Sequence, residues 1–278
     1  MNSRMMLIGL PLLASSCLAA AAAIAAPKPD LWPRWEANED SSVERVDHGA
    51  WERFLGAYLV GDDPSGVKVV RYADVSARDR EGLGEYLKSL EAVEVSGLSR
   101  REQKAYWINL YNSQTVALIL DHFPVKSIRD IRISPGLFAV GPWDKKLLTV
   151  EGEGLSLNDI EHRILRPLWK DNRVHYALNC ASIGCPDLQP VAFTAGNTEE
   201  LLEAGARAYV NHPRGAVLEG SVLTVSSIYD WFEVDFGGSK AGVTEHLLRY
   251  AEGPLADGLK GFSGRVKYRY DWSLNEAD

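Results

Sequence analysis

The sequence predicts an α+β fold in a single domain, with a long buried central helix and a small, mostly antiparallel sheet. Three observations carry this. Helical and strand-like stretches are mixed without the regular alternation of a doubly wound sheet. The segment Ser99–Phe123 is apolar over too wide a face for a surface helix. No linker-like run interrupts the chain between Asp47 and Asn275. With 278 residues, 46% hydrophobic and 24% charged, the chain can build a normal core without staples.

The elements follow in order. "MNSR" and the uncharged run Met5–Ala26 have the pattern of a secretory signal peptide over residues 1–25. Ala23-Ile24-Ala25 fits the cleavage site. An uncleaved anchor is one alternative, and a lipoprotein box ending at Cys17 is another. Residues 26–46 read as a polar lead-in and residues 47–278 as the domain. Trp51, Phe54, Leu55, Tyr58 and Leu59 recur at helical spacing, with Asp47 as a possible cap. Val67–Val75 reads as a strand, and the helix after it is capped by Ser76. Ser99 and Glu102 form a capping box that opens the central helix, which Pro124 ends. Lys145–Leu165 reads strand, turn, helix, with a second box at Ser156 and Asp159 and a stop before Pro167. Val174–Asn179 is a short strand or a buried helical turn. Thr198–His212 is an amphipathic helix, and Gly215–Ile228 alternates as a hairpin around Glu219-Gly220. A helix at Ala241–Ala251 and a strand from Arg265 close the domain.

Composition excludes some function classes. The formal charge is −8 and there is no Lys/Arg run, which argues against nucleic-acid partners and, beyond a retained leader, membrane partners. An unknown small molecule or an envelope component remains as substrate, and oligomeric state is open. No cofactor is implied. Cleavage of the leader leaves two cysteines, Cys180 and Cys185, and export puts them in an oxidising compartment.

The motifs "AYWINLYNSQTV", "LSLNDIEHRIL", "RVHYALNCASIGCPDL", "YDWFEVDF" and "YDWSLN" occur in that order. Together they resemble the DUF547 family, an uncharacterised domain family, over roughly Leu98–Asn275. Some members resemble fusions to glutaredoxin-like modules, which hints at thiol chemistry. The resemblance also implies that the Cys180 position is the more constant of the two, so a disulfide is not its general reason.

Three chemistries compete at these residues. In the first, Cys180 is a nucleophile for hydrolysis or transfer at amide or thioester bonds. His162 is then the base. His175 is nearer in sequence, but in a strand its offset sends it to the opposite face from Cys180. Asn109 or Asn112 orients the imidazole, and the small residues Ala181, Ser182 and Gly184 offer oxyanion donors. Glu161 is poorly aimed at the His162 ring on an α-helix. In the second, Cys180 and Cys185 form a disulfide, structural in a non-enzymatic envelope module or active in thiol–disulfide exchange. In the third, Cys180, Cys185, His162 and His175 hold zinc, although their spacing matches no finger pattern, so no metal is expected. Asn109 and Asn112 share a helix face, where two buried amides imply specific hydrogen bonds; satisfying loop backbone around Asn179–Ser182 is the structural alternative to orienting an imidazole. The tryptophans are expected to pack the core, with Trp143 and Trp231 the two to watch for exposure. Asp230, Glu233 and Asp235 read as a solvated helix end.

Overall fold

The long apolar segment dictates the centre of the molecule. In the computed structural model, which describes residues 27–61, 63–136 and 139–277, it forms helix α3 (Arg100–His122), buried at every residue from Glu102 to Val116. The expected leader over 1–25 lies outside the described residues. Ser99 caps α3 by accepting the Glu102 N–H, while the Glu102 carboxylate turns away to accept the Val46 N–H. The capping box is therefore only half made. Around α3 pack α1 (Gly49–Tyr58) and α2 (Ala77–Glu91), the latter capped by Ser76. Trp51, Phe54, Leu83, Leu90, Tyr106 and Trp107 fill the space between them.

Strand content is divided among three small sheets. β1 (Leu59–Val60) pairs with β2 (Val69–Val70), so only two residues of the expected Val67–Val75 strand remain extended. β3 (Leu148–Val150) and β4 (Glu153–Leu155) form a hairpin turned by Glu151 and Gly152, both at positive φ. β5 (Ala216–Glu219) and β6 (Val222–Ser226) form the hairpin the alternation predicts. β7 (Arg265–Arg269) joins them as the outer strand, parallel to β6, with Val222 opposite Arg265 and Ser226 opposite Arg269.

The Ser156/Asp159 box closes fully. The Asp159 N–H reaches Ser156 Oγ, and the Ser156 N–H reaches Asp159 Oδ2. The helix it opens, Asp159–Leu165, has π geometry and continues as α4 (Arg166–Trp169). Pro167 does not stop it. The proline lies where the π geometry gives way to the α4 turn, just after the Arg166 N–H bonds back to the Glu161 carbonyl.

A second apolar cluster lies between α5 (Thr198–Asn211), β5–β6 and α7 (Lys240–Tyr250). Tyr176, Tyr209, Tyr229 and Phe236 fill it, together with His246. α6 (Ile228–Trp231) and α8 (Gly253–Leu259) complete the chain. The lead-in is docked rather than trailing. Trp35 is buried, and the Asp30 and Trp32 N–H groups bond to the carbonyls of His162 and Arg163. Among the described residues no helix is long and apolar enough to cross a membrane.

Candidate functional site

The loop that follows the 3₁₀ turn Asn172–Tyr176 carries both cysteines, and its shape is held from outside. Asn112, on α3, donates from Nδ2 to the Ala177 carbonyl at 2.8 Å and accepts the Asn179 N–H on Oδ1 at 2.9 Å. Asn179 accepts the Ala181 N–H at 2.9 Å and donates to the Pro186 carbonyl at 2.8 Å. Ala181 thereby sits at φ 55°, a left-handed conformation that a residue with Cβ rarely adopts. Gly184 is needed for space rather than for its own φ. A Cβ there would lie 2.7 Å from the Asp271 amide nitrogen and 2.8 Å from its carbonyl oxygen.

Both cysteines are free thiols, and their sulfurs are 2.9 Å apart. Cys180 is half-buried and Cys185 is buried. Cys180 Sγ also lies 3.0 Å from the Tyr270 hydroxyl and 3.4 Å from that of Ser182. When Cys180 ionises, the Cys185 thiol and both hydroxyls can donate to it. The Cys185 hydrogen bond is the largest influence lowering the Cys180 pKa, with Ser182 and Tyr270 adding to it against burial and the Glu161 charge. Burial, followed by the neighbouring Cys180, pushes the Cys185 thiol well up. The pair is thus asymmetric in both exposure and acidity.

The expected imidazole base does not reach this sulfur. His162 and His175 sit in a separate buried cluster, and among the described residues neither hydrogen-bonds to Cys180. Arg166 Nη1 lies 3.0 Å from His162 Nδ1, and a guanidinium can only donate. His162 is therefore the neutral Nε2–H tautomer with its basic nitrogen occupied. Burial is the main cause that lowers its pKa to about 4. His175 Nε2 bonds to Asp235 Oδ2 at 2.7 Å, and Arg166 Nε donates to the same oxygen at 2.6 Å. These bonds overcome burial and bring Asp235 down to about 2. Asp235 is thus the anchor of this cluster and not part of a solvated helix end. Phe232 covers both rings, at 4.2 Å from His175 and 5.8 Å from His162.

Glu161 also departs from expectation. In a π-turn, successive side chains are less widely fanned than on an α-helix, and both Glu161 and His162 point inward. The Glu161 carboxylate lies 3.8 Å from His162 Nδ1 and 3.7 Å from His175 Nδ1, and accepts the Tyr111 hydroxyl at 3.3 Å. His175 arrives here because Asn172–Tyr176 is helical rather than extended.

The two asparagines do not orient a histidine. Asn109 spends both ends of its amide on the Phe193 backbone, at 2.7 and 3.0 Å. Asn112 spends both on Ala177 and Asn179. The second of these is the loop-satisfying role that the sequence suggests. Of the three expected oxyanion donors, Ala181 and Gly184 have their N–H groups spent, as do their loop neighbours. The Cys180 N–H goes to Cys185 Sγ, Ala181 to Asn179, Ile183 to Ser273, Gly184 to Asp271 and Cys185 to Ser182. Among the described residues no three His, Cys, Asp or Glu side chains gather as metal ligands, so Cys180, Cys185, His162 and His175 do not share a centre.

Trp143 and Trp231 are half-buried and belong to one ring assembly beside Cys180. Trp272 contacts Trp143 at 5.7 Å and stacks on Trp231 at 5.5 Å, while Tyr270 contacts Trp231 at 4.8 Å and Trp272 at 4.6 Å. Arg129 lies over Trp272. Tyr270 and Arg166 are the residues that sequence reasoning passes over, and Glu161 and Asp235 are the ones it sets aside. The signal for Tyr270 is its place in "YDWSLN". A polar depression of about 510 Å³ bordered by Arg34, Ser96 and Glu151 is lined by neither cysteine and by no histidine, and its Glu151 is already bound by Arg34 and Ser96.

No curated protein and no solved structure matches the chain. Residues 95–210 match a family model described as a protein of unknown function, DUF547. The match takes in α3, the π-turn, both cysteines and α5, and stops before the segments that carry Asp235 and Tyr270. Over residues 95–210 the chain is therefore similar to the DUF547 family.

Proposed function

We propose that the Cys180–Cys185 pair is a thiol–disulfide exchange centre in an exported protein. One observation carries this reading: two free sulfurs in contact, one half-buried with a lowered pKa and the other buried with a raised one. That asymmetry suits an attacking thiol and a resolving thiol. The Cys180 thiolate attacks one sulfur of a substrate disulfide. A bond forms between Cys180 and that sulfur, the substrate S–S bond breaks, and the other substrate sulfur leaves as a thiolate that takes up a proton. Cys185 then loses its proton and attacks Cys180 Sγ. The Cys180–Cys185 bond forms, the substrate's second sulfur leaves as a thiol, and the substrate disulfide has been reduced by two electrons taken from the pair. The reverse sequence oxidises a dithiol. Removal of residues 1–25 on export would place the pair where such exchange is needed.

Amide or thioester hydrolysis is less well supported. It needs a base on Cys180 and free backbone donors around it. The His162 and His175 rings are engaged elsewhere, and most of the loop N–H groups are spent.

The test is mass-resolved alkylation and trapping on the full chain. At neutral pH, iodoacetamide should modify Cys180 before Cys185. With glutathione disulfide, the Cys185→Ser variant should accumulate a mixed disulfide at Cys180, whereas the wild type should pass on to the internal bond. Two thiols inert until denaturation, or a wild type that never closes the bond, would overturn the reading.

A further inference from the structure

The outer strand of the third sheet leads directly to the reactive thiol. β7 is the last strand in the order β5-β6-β7, so among the described residues no strand lies beside its far edge. The bonds at its two ends fix which residues face that edge. The Arg265 N–H goes to Ser221, and the Arg269 carbonyl accepts from Ser227. Residues 265, 267 and 269 thus turn their backbone to β6, and Val266 and Tyr268 turn theirs outward. One residue beyond β7, Tyr270 touches Cys180 Sγ and begins the aromatic assembly with Trp272 and Trp231.

Charge along the strand is equally ordered. Arg265, Lys267 and Arg269 are all exposed, and alternation puts them on one face. None forms an ion pair with a described residue, in a chain whose formal charge is −8. The other face carries Tyr268, with Asp230 and Glu233 near it.

We infer that β7 is the docking edge for the substrate: an extended polypeptide segment, acidic at every second residue, that adds as a strand beside β7 and brings its own cysteine to Cys180. Open backbone groups supply register and affinity, the basic row selects charge, and the tryptophans receive the residues flanking the cysteine. This rests on the exchange reading for its chemistry, but the docking edge can be tested without it.

The experiment uses the full chain with the Cys185→Ser change and a peptide of about six residues, acidic at alternate positions, as its mixed disulfide with 2-mercaptoethanol. Cys180 attacks the peptide sulfur, a Cys180–peptide bond forms, and 2-mercaptoethanol leaves as the thiolate. The reference reagent is 2-hydroxyethyl disulfide, which has the same leaving group. The acidic peptide should react about tenfold faster than one with lysine at those positions, relative to the reference. Arg265→Glu with Lys267→Glu should abolish that preference. Val266→Pro, which removes an outward N–H without breaking the β6 ladder, should weaken both peptides. Fluorescence anisotropy with the peptide cysteine replaced by serine should show the same order of affinities. Equal rates and affinities for the two peptides, or indifference to these substitutions, would overturn the docking edge alone. If neither disulfide reacts while the serine peptide still prefers wild type, the docking edge stands and the exchange chemistry falls.

Discussion

Replacing Asn112 by Ala tests the link between the central helix and the reactive loop. The Asn112 side chain satisfies two buried backbone groups, the Ala177 carbonyl and the Asn179 N–H, at 2.8 and 2.9 Å. Both residues are essentially inaccessible to water. Leaving each group unpaired costs ~1–3 kcal/mol. Alanine returns ~0.5 kcal/mol through its better helix propensity. The net loss should be about 3 kcal/mol, or roughly 6–12 °C in Tm for a chain of this size. Asn109→Ala frees the Phe193 N–H and carbonyl in the same way and should cost a similar amount. The two variants part company at the thiol. Only Asn112 holds the segment leading into Cys180, so only its loss should change the rate of Cys180 alkylation. Urea denaturation and timed iodoacetamide labelling measure the two effects. A loss below ~1 kcal/mol, or equal effects of both variants on labelling, would refute the coupling.

Three further predictions follow from the same geometry. Tyr270→Phe keeps the ring in the aromatic assembly but removes a hydroxyl from Cys180, so the thiol pKa should rise and alkylation near neutral pH should slow several-fold. A pH–rate profile measures this, and an unmoved profile would exclude Tyr270 as a donor. Gly184→Ala forces a Cβ against the Asp271 backbone and should cost ~1–3 kcal/mol by displacing the cysteine loop, read by thermal melting. Acid should destabilise the fold in two stages. His48, His162 and His246 are each lowered from 6.5 to about 4, chiefly by burial, so the unfolded chain binds more protons between those values. Their contribution is complete above pH 6.5 and is lost as pH falls toward 4, ~3 kcal/mol for each. Asp171 and Asp235, lowered from 3.8 to about 2, lose theirs only as pH falls below 3.8 and on through 2. Urea midpoints across this range measure it, and a flat profile between pH 7 and 4 would contradict the buried neutral histidines.

Where structure follows from neighbours in sequence, it was legible. Ser76, Ser99 and Ser156 lie at the helix starts that their capping patterns mark. The β5–β6 hairpin turns where the alternation breaks, and α3 is buried as its apolar width requires. The cysteine loop was legible as the place to look, because its residue types are unusual on their own. The α+β class needed no more than the mixture of these elements.

The partners of Cys180 were not legible, and the reason is physical. Tyr270 is far along the chain from Cys180, and long-range backbone pairing brings it back, of β7 with β6 and of Ile183 and Gly184 with Ser273 and Asp271. Arg166 and Asp235 decide which nitrogens of His162 and His175 are free, and they do so through contacts between separate segments. The π-turn aims Glu161 inward, a change of helical pitch that an α-helical wheel does not contain. By itself, the sequence determined the class of fold, the buried central helix and the likeness of residues 95–210 to the DUF547 family. Only the tertiary structure decided that the histidines serve their own polar cluster and that two thiols face each other, because those outcomes depend on which side chains compete for each hydrogen bond once the chain is packed.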